Sequence, residues 1–170
     1  MKIITTDTPD TCRDGLIALL TDSVNSGASV GFIRPLEAKE AENYWESIES
    51  SLKEGSRRLL VALHQEQVAG AIQIAFCGKK NGLHRADIEK LMVHTAYRRQ
   101  GIASQLLNAV ETLARNSGRT LLVLDTRTGD AASLLYQQSG YQQAGTIPQF
   151  VMNHEEEMES TTYYYKLLTE

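Results

Sequence analysis

The stretch DIEKLMVHTAYRRQGIASQLLNAVETLARNSGRTLLVLD, Asp87 to Asp125, decides the fold. Its first part mixes Ile88, Met92 and Val93 with Asp87, Glu89 and Lys90 and predicts a strand. From Gly101 onward, Ile102, Leu106, Leu107, Val110, Leu113 and Ala114 recur at spacings of three and four, the stripe of a helix that buries one face. The closing LLVLD is a short apolar run, a buried strand. Strand, helix and strand in that order make a crossover between parallel neighbours.

The surrounding chain supplies the other elements. KIITT reads as a short strand, TPDTCRDGLIALLTDSVNSG as a helix ending at Gly27, and EAKEAENYWESIESSLKEG as a second helix ending at Gly55. In the latter, Trp45, Ile48 and Leu52 form one apolar stripe. RRLLVALHQEQVAGAIQIAFC is two apolar runs parted by a polar turn, a β-hairpin, and Asn81-Gly82 marks the next turn. DAASLLYQQSG is a short helix, and YQQAGTI and TTYYYKLL are strands. The sum is an α/β chain: a mixed, mostly antiparallel sheet of six to seven strands with about four helices packed against it. With no internal repeat and no low-complexity linker, residues 1–170 read as one domain.

Net charge is −4. An acidic surface gives neither nucleic acid nor an anionic membrane a counter-charge, so neither is expected as a partner. Cys12 and Cys77 lie far apart without metal-ligand spacing and read as free thiols of a reducing compartment. The opening MKIITTDTPD has no apolar core of a signal, and no run approaches the length of a membrane span. A cytoplasmic location is expected. His64, His84, His94 and His154 show no metal spacing, and no metal is expected.

The start of the central helix is chemically specific. Its first turn carries no Asp or Glu; Arg98, Arg99, Gln100 and Gly101 stand before it instead. The first N–H groups of a helix lack partners inside it, and the helix dipole adds partial positive charge there. Glycine lets a ligand approach the backbone closely. Two guanidinium groups add to the field, so the site suits a phosphate or pyrophosphate. Neither the Walker pattern nor the three-glycine dinucleotide fingerprint is present. The pattern is Arg-x-x-Gly-x-Ala, Arg98 through Gly101 to Ala103.

RRQGIA after DIEKLMVHTAY resembles the acetyl-CoA pyrophosphate loop of the GNAT N-acetyltransferases. AASLLYQQSGY resembles that family's second signature, a short helix with a Tyr followed by Gly-aromatic. GASVGFI, NGLHRADIEKLMV and LLVLDT look most like the tabtoxin-resistance type within the family, which acetylates a small amino-acid-like toxin. The resemblance implies the GNAT fold, with a parallel, splayed sheet centre, and acetyl-CoA as cosubstrate. It implies that Arg98, Gln100, Gly101, Ile102, Ala103 and Ser104 cradle the pyrophosphate, that Arg99 reaches the 3′-phosphate, and that the backbone of Leu91, Met92 and Val93 holds the acetyl carbonyl and pantetheine arm. It also implies that Tyr136 serves as general acid for the leaving thiolate. The family's frequent Asn seven residues before that Tyr is replaced by Gly129.

The implied reaction is acetyl transfer to a primary amine of a small molecule, an antibiotic or amino-acid-like toxin, by direct attack in a ternary complex. An alkylammonium, with a pKa of about 10, must first lose a proton, which a carboxylate can take. Asp87, at the spacing of the family's usual carboxylate, and Asp125, at the end of LLVLD, are the candidates, with Glu89 third. The acidic run NHEEEMES is a solvated loop or a negative funnel for a cationic amine. A protein N-acetyltransferase and a non-catalytic acyl-CoA-sensing domain are the alternative functions. Resemblance also makes a homodimer the expected assembly.

Overall fold

A computed structural model describes residues 1–169. Strands are β1 (Lys2–Thr6), β2 (Arg57–His64), β3 (Gln67–Phe76), β4 (Arg85–Val93), β5 (Leu121–Arg127), β6 (Gln142–Met152) and β7 (Met158–Leu167). Helices are α1 (Arg13–Asn25), α2 (Ala38–Ser47), α3 (Glu49–Glu54), α4 (Ile102–Asn116) and α5 (Ala131–Gln138). The seven strands form one sheet in the order β1-β2-β3-β4-β5-β7-β6. Every pair is antiparallel except β4 with β5, the expected parallel crossover through α4.

Each sheet face buries its own core. On one, Ile102, Leu106, Leu107, Val110 and Ala114 of α4 pack on Leu60, Ile72, Ile74, Ile88, Leu122 and Leu124. On the other, Leu16, Leu19 and Leu20 of α1 with Trp45 of α2 pack on Leu59, Val61, Ala71 and Met92. Period-two alternation along β2, and along β3 on either side of a bulge at Ala69, sends successive residues to opposite layers.

Three expectations are corrected in detail. The second helix is two, broken at Ile48, whose carbonyl accepts from both the Leu52 N–H (3.1 Å) and the Ser51 hydroxyl (2.8 Å). Trp45, Ile48 and Leu52 stay on the core despite the break. Strand β6 runs past Pro148 to Met152. That is tolerated because β6 is an edge strand, where a missing N–H breaks no ladder, and because a bulge lies between Ile147 and Val151. The acidic run is a hairpin turn whose second half enters β7. Glu159 is tied to Arg127 (3.5 Å) and to Asn153 (3.1 Å), leaving Glu155, Glu156 and Glu157 exposed.

The feature that creates the site lies in β4. Ala71 faces Met92 and Gln73 faces Glu89, so two residues, Lys90 and Leu91, oppose the single Ile72. Lys90 takes the left-handed conformation (φ 53°) that such a bulge requires. The extra residue inverts the alternation: Ala86 and Ile88 enter the α4 core before it, Met92 the α1 core after it. On the opposite edge, β4 pairs with β5 only from Arg85↔Leu121 to Asp87↔Val123. Beyond Asp87 the strands part.

Candidate active site

A cavity of about 590 Å³ opens in this split. Its lining includes Ile88 and Leu91, which pack toward the α4 core, and Glu89 and Lys90, which face the other way. It therefore passes between β4 and β5 from one sheet face to the other. Asp125, Thr126 and Arg127 of β5 form the facing wall, and Asp130, Ala131 and Tyr136 bring in α5. The loop Ser26–Gly31 and residues Phe150 and Val151 of β6 close the open face of the sheet.

Among the candidates, Asp125, Tyr136, Leu91 and Arg98 meet in this cavity. Glu89 and Asp125 are each two residues past the last β4–β5 pair and flank the mouth of the split. The Asp125 carboxylate accepts from Thr161 Oγ1 at 2.7 Å. Tyr136 is 6% exposed, and burial, with smaller contributions from Asp130 and Asp125, raises its phenol pKa well above the usual range. Asp87 stands outside the lining, half-buried in the paired part of β4. Burial raises its carboxyl, Arg85 opposes this, and Glu89 and Asp125 add to it. Glu89 is committed to Arg57 (2.5 Å), which also donates to Gln73 (2.8 Å); Gln73 in turn donates to Tyr44 (2.9 Å).

The glycine loop sits at one end of the split. Arg99 (φ 60°) and Gly101 (φ 75°) are both left-handed, and nothing lies within 4 Å of where a Gly101 side chain would begin. The first helical bond of α4 runs from the Gln105 N–H to the Gly101 carbonyl (3.1 Å), so the N–H groups of Ile102, Ala103 and Ser104 precede the ladder and lack helical partners. The Ile102 side chain itself is core. Arg98 departs from a free anion ligand: its guanidinium bonds the Val93 carbonyl (3.3 Å) and Ser26 Oγ (2.9 Å), tying the loop to β4 and to the end of α1. Arg99 and Gln100 are exposed. Met92, Val93 and residues 99–104 lie outside the cavity lining. Gly129, at the position of the missing Asn, is left-handed (φ 80°) and precedes Asp130, which is bound by Arg127 (3.3 Å).

Sequence reasoning missed Lys90, Tyr44, Gln73 and Phe150. Gln73, fully buried inside the apolar run AGAIQIAF, was the one legible signal, since a buried amide requires partners. A second groove, of about 690 Å³ between the start of α1 and β3, contains none of the candidate residues.

Free backbone at a parted strand, an open glycine before a helix start and a cavity reaching a buried phenol fit an elongated thioester bearing a diphosphate. The comparisons agree. Residues 24–141 match the model of the acetyltransferase (GNAT) family. A protein of Azospirillum brasilense, named as an uncharacterized N-acetyltransferase in the hisH-hisA intergenic region, is 30% identical over 133 residues, covering 75% of this chain and 77% of its own. Among solved structures, the ribosomal-protein-alanine N-acetyltransferase of Brucella melitensis superposes with a TM-score of 0.81 at 22% identity, over 99% of this chain and all of the other. The Salmonella typhimurium protein yncA, solved with its cofactor acetyl-CoA, gives 0.79 at 18%, over 100% and 95%. The chain belongs to the acetyltransferase (GNAT) family, enzymes whose acyl donor is acetyl-CoA.

Proposed function

We propose that this enzyme acetylates a primary amine of a small molecule, an antibiotic or amino-acid-like toxin as in the tabtoxin-resistance type, by direct attack within a ternary complex. One observation carries the reading. A carboxylate, Asp125, and a protonated phenol, Tyr136, line one cavity with the Ser26–Gly31 loop and Phe150, a space of small-molecule size. Acetyl-CoA supplies the activated acyl group. The N–H groups of Gly101, Ile102, Ala103 and Ser104, with Arg99, hold its phosphates, and Arg98 fixes the loop that presents them. Backbone groups of Leu91, Met92 and Val93 align the pantetheine arm as an added strand.

Asp125 accepts the proton of the ammonium, directly or through one water, and Thr161 holds that carboxylate in place. Asp87, outside the cavity, is the second candidate for that proton and would take it through water. Tyr136, kept protonated by burial, donates to the departing thiolate. Cytoplasmic residence is part of the same reading and suits the two free thiols. The test is release of the CoA thiol across a panel of small amines and of peptides, in the wild type and Tyr136→Phe. Turnover confined to small amines is expected. Turnover of peptides alone identifies a protein acetyltransferase, and cofactor uptake without any turnover identifies a sensor.

A further inference from the structure

Lys90 is the one cation of the cavity that has no hydrogen bond or ion pair among the described residues. The β4 bulge places it in a left-handed conformation and aims its side chain out of the sheet. Its ammonium lies 5.5 Å from the centroid of the Tyr44 ring and 3.4 Å from where a side chain at Gly31 would begin. Two walls therefore fix the amine. Its neighbour Glu89 is bound by Arg57, and the chain Arg57–Gln73–Tyr44 closes without it. The other cations of the cavity are already occupied: Arg98 by the Val93 carbonyl and Ser26, Arg127 by Asp130, Glu159 and the Gly27 carbonyl. On the facing wall Asp125 has only a hydroxyl and no cation.

The cavity is thus bipolar, with an ammonium on β4 and a carboxylate on β5, neither held in an ion pair among the described residues. Partly buried charges without counter-ions are costly. Burial pulls the Lys90 ammonium below its ordinary range and Arg57 adds to this; the charges of Glu89 and Asp125 offset it only in part, and an anion beside the ammonium relieves the rest. A neutral or purely cationic amine answers Asp125 and leaves Lys90 alone. A molecule with both an amino group and a carboxylate answers both.

Resting on the small-molecule reading above, we propose that Lys90 binds the carboxylate of the acceptor, so that the enzyme selects amino acids or amino-acid-like amines over amines without an acid group. The Tyr44 ring and the bare Gly31 keep the ammonium oriented for that contact.

The test uses the whole protein with acetyl-CoA and the twenty L-amino acids, each beside its carboxamide and its decarboxylated amine. Wild type is expected to turn over one or more acids with kcat/KM at least tenfold above their partners. In Lys90→Met and Lys90→Gln, checked by circular dichroism, the KM for the acid rises roughly ten- to a hundredfold, the scale of one charged hydrogen bond, with kcat little changed. Preference for acid over carboxamide then collapses toward one, and Lys90→Arg restores part of it. Equal turnover of acids and carboxamides by the wild type overturns the proposal and leaves small-molecule acetylation standing. So does a uniform fall in kcat over every acceptor in both variants, which marks Lys90 as a base. Turnover of peptides but of no small amine overturns both readings.

Discussion

At the scale of single residues, burial decides chemical roles. A phenol in water holds its proton only to about pH 10; the burial that raises Tyr136 further makes it a proton donor throughout the neutral range. Tyr136→Phe removes the hydroxyl and keeps the ring. Its kcat should fall roughly 10²- to 10⁴-fold with KM for acetyl-CoA little altered, read by steady-state thiol release. Asp125→Asn should lower kcat/KM roughly 10²- to 10⁴-fold, read by the same thiol release. Asp87→Asn, outside the cavity, should lower kcat/KM less than Asp125→Asn does. Asp87 also carries a stability signature. Its folded-state pKa lies above the unfolded value, so the folded protein binds more protons between the two. Stability then declines as pH rises through that window and stays lower above it. Asp87→Asn should raise Tm at neutral pH, and the gain should vanish below about pH 3.9, where an ordinary aspartate is protonated; a Tm series across pH checks the sign.

At the scale of elements, β4 and α4 carry the site between them. The β4 bulge needs close passage of β3: a side chain at Gly70 would begin 2.7 Å from the Met92 carbonyl, a backbone atom that cannot swing aside. Gly70→Ala should push β4 away and lower both Tm and activity, whereas Gly145→Ala, with open space around it, should change neither. Gly101→Ala tests the other end. A side chain there meets no atom, but the left-handed backbone costs about 1–2 kcal/mol outside glycine. Calorimetric affinity for CoA should weaken, roughly tenfold if the loop relaxes out of that conformation. Much of this was legible in the chain. The α4 stripe announced the helix and its buried face, and Gly101 marked its start. The inversion of faces in β4 was not legible, because RADIEKLMV fits simple alternation as well as it fits a bulge. Only the pairing against β3 shows the extra residue.

At the scale of the whole molecule, the parted strands leave the sheet half joined. Beyond Asp87 and Val123, no ladder bonds connect the β1–β4 half to the β5–β7 half. The Ser26–Gly31 loop spans part of that gap, its Gly27 carbonyl accepting from Arg127 (3.2 Å), and Arg98 ties the loop to β4. On the proposed placement, a bound coenzyme would pair with β4 and dock on α4 and so replace missing ladder contacts. At a hundredfold excess over its Kd it should stabilise the fold by about 2.7 kcal/mol, a Tm rise of roughly 5–10 °C in a domain of this size. Differential scanning fluorimetry with and without CoA measures it, and an unmoved Tm would contradict the placement of the cofactor in the split.

Local pattern was enough for what depends on neighbours along the chain. Apolar periodicity marked the helices and strands, order implied the parallel crossover, and a glycine behind two arginines marked a helix start able to meet phosphate. Those properties arise within a few turns of backbone. The cavity does not: Lys90 and Asp125 stand 35 residues apart and face each other only because β4 and β5 part after three paired positions. Asp87 and Glu89 likewise look equivalent in the chain, two residues apart on one strand. Tertiary structure separates them, burying one in the paired sheet and pairing the other with Arg57, because desolvation and charge pairing are set by what the fold brings alongside.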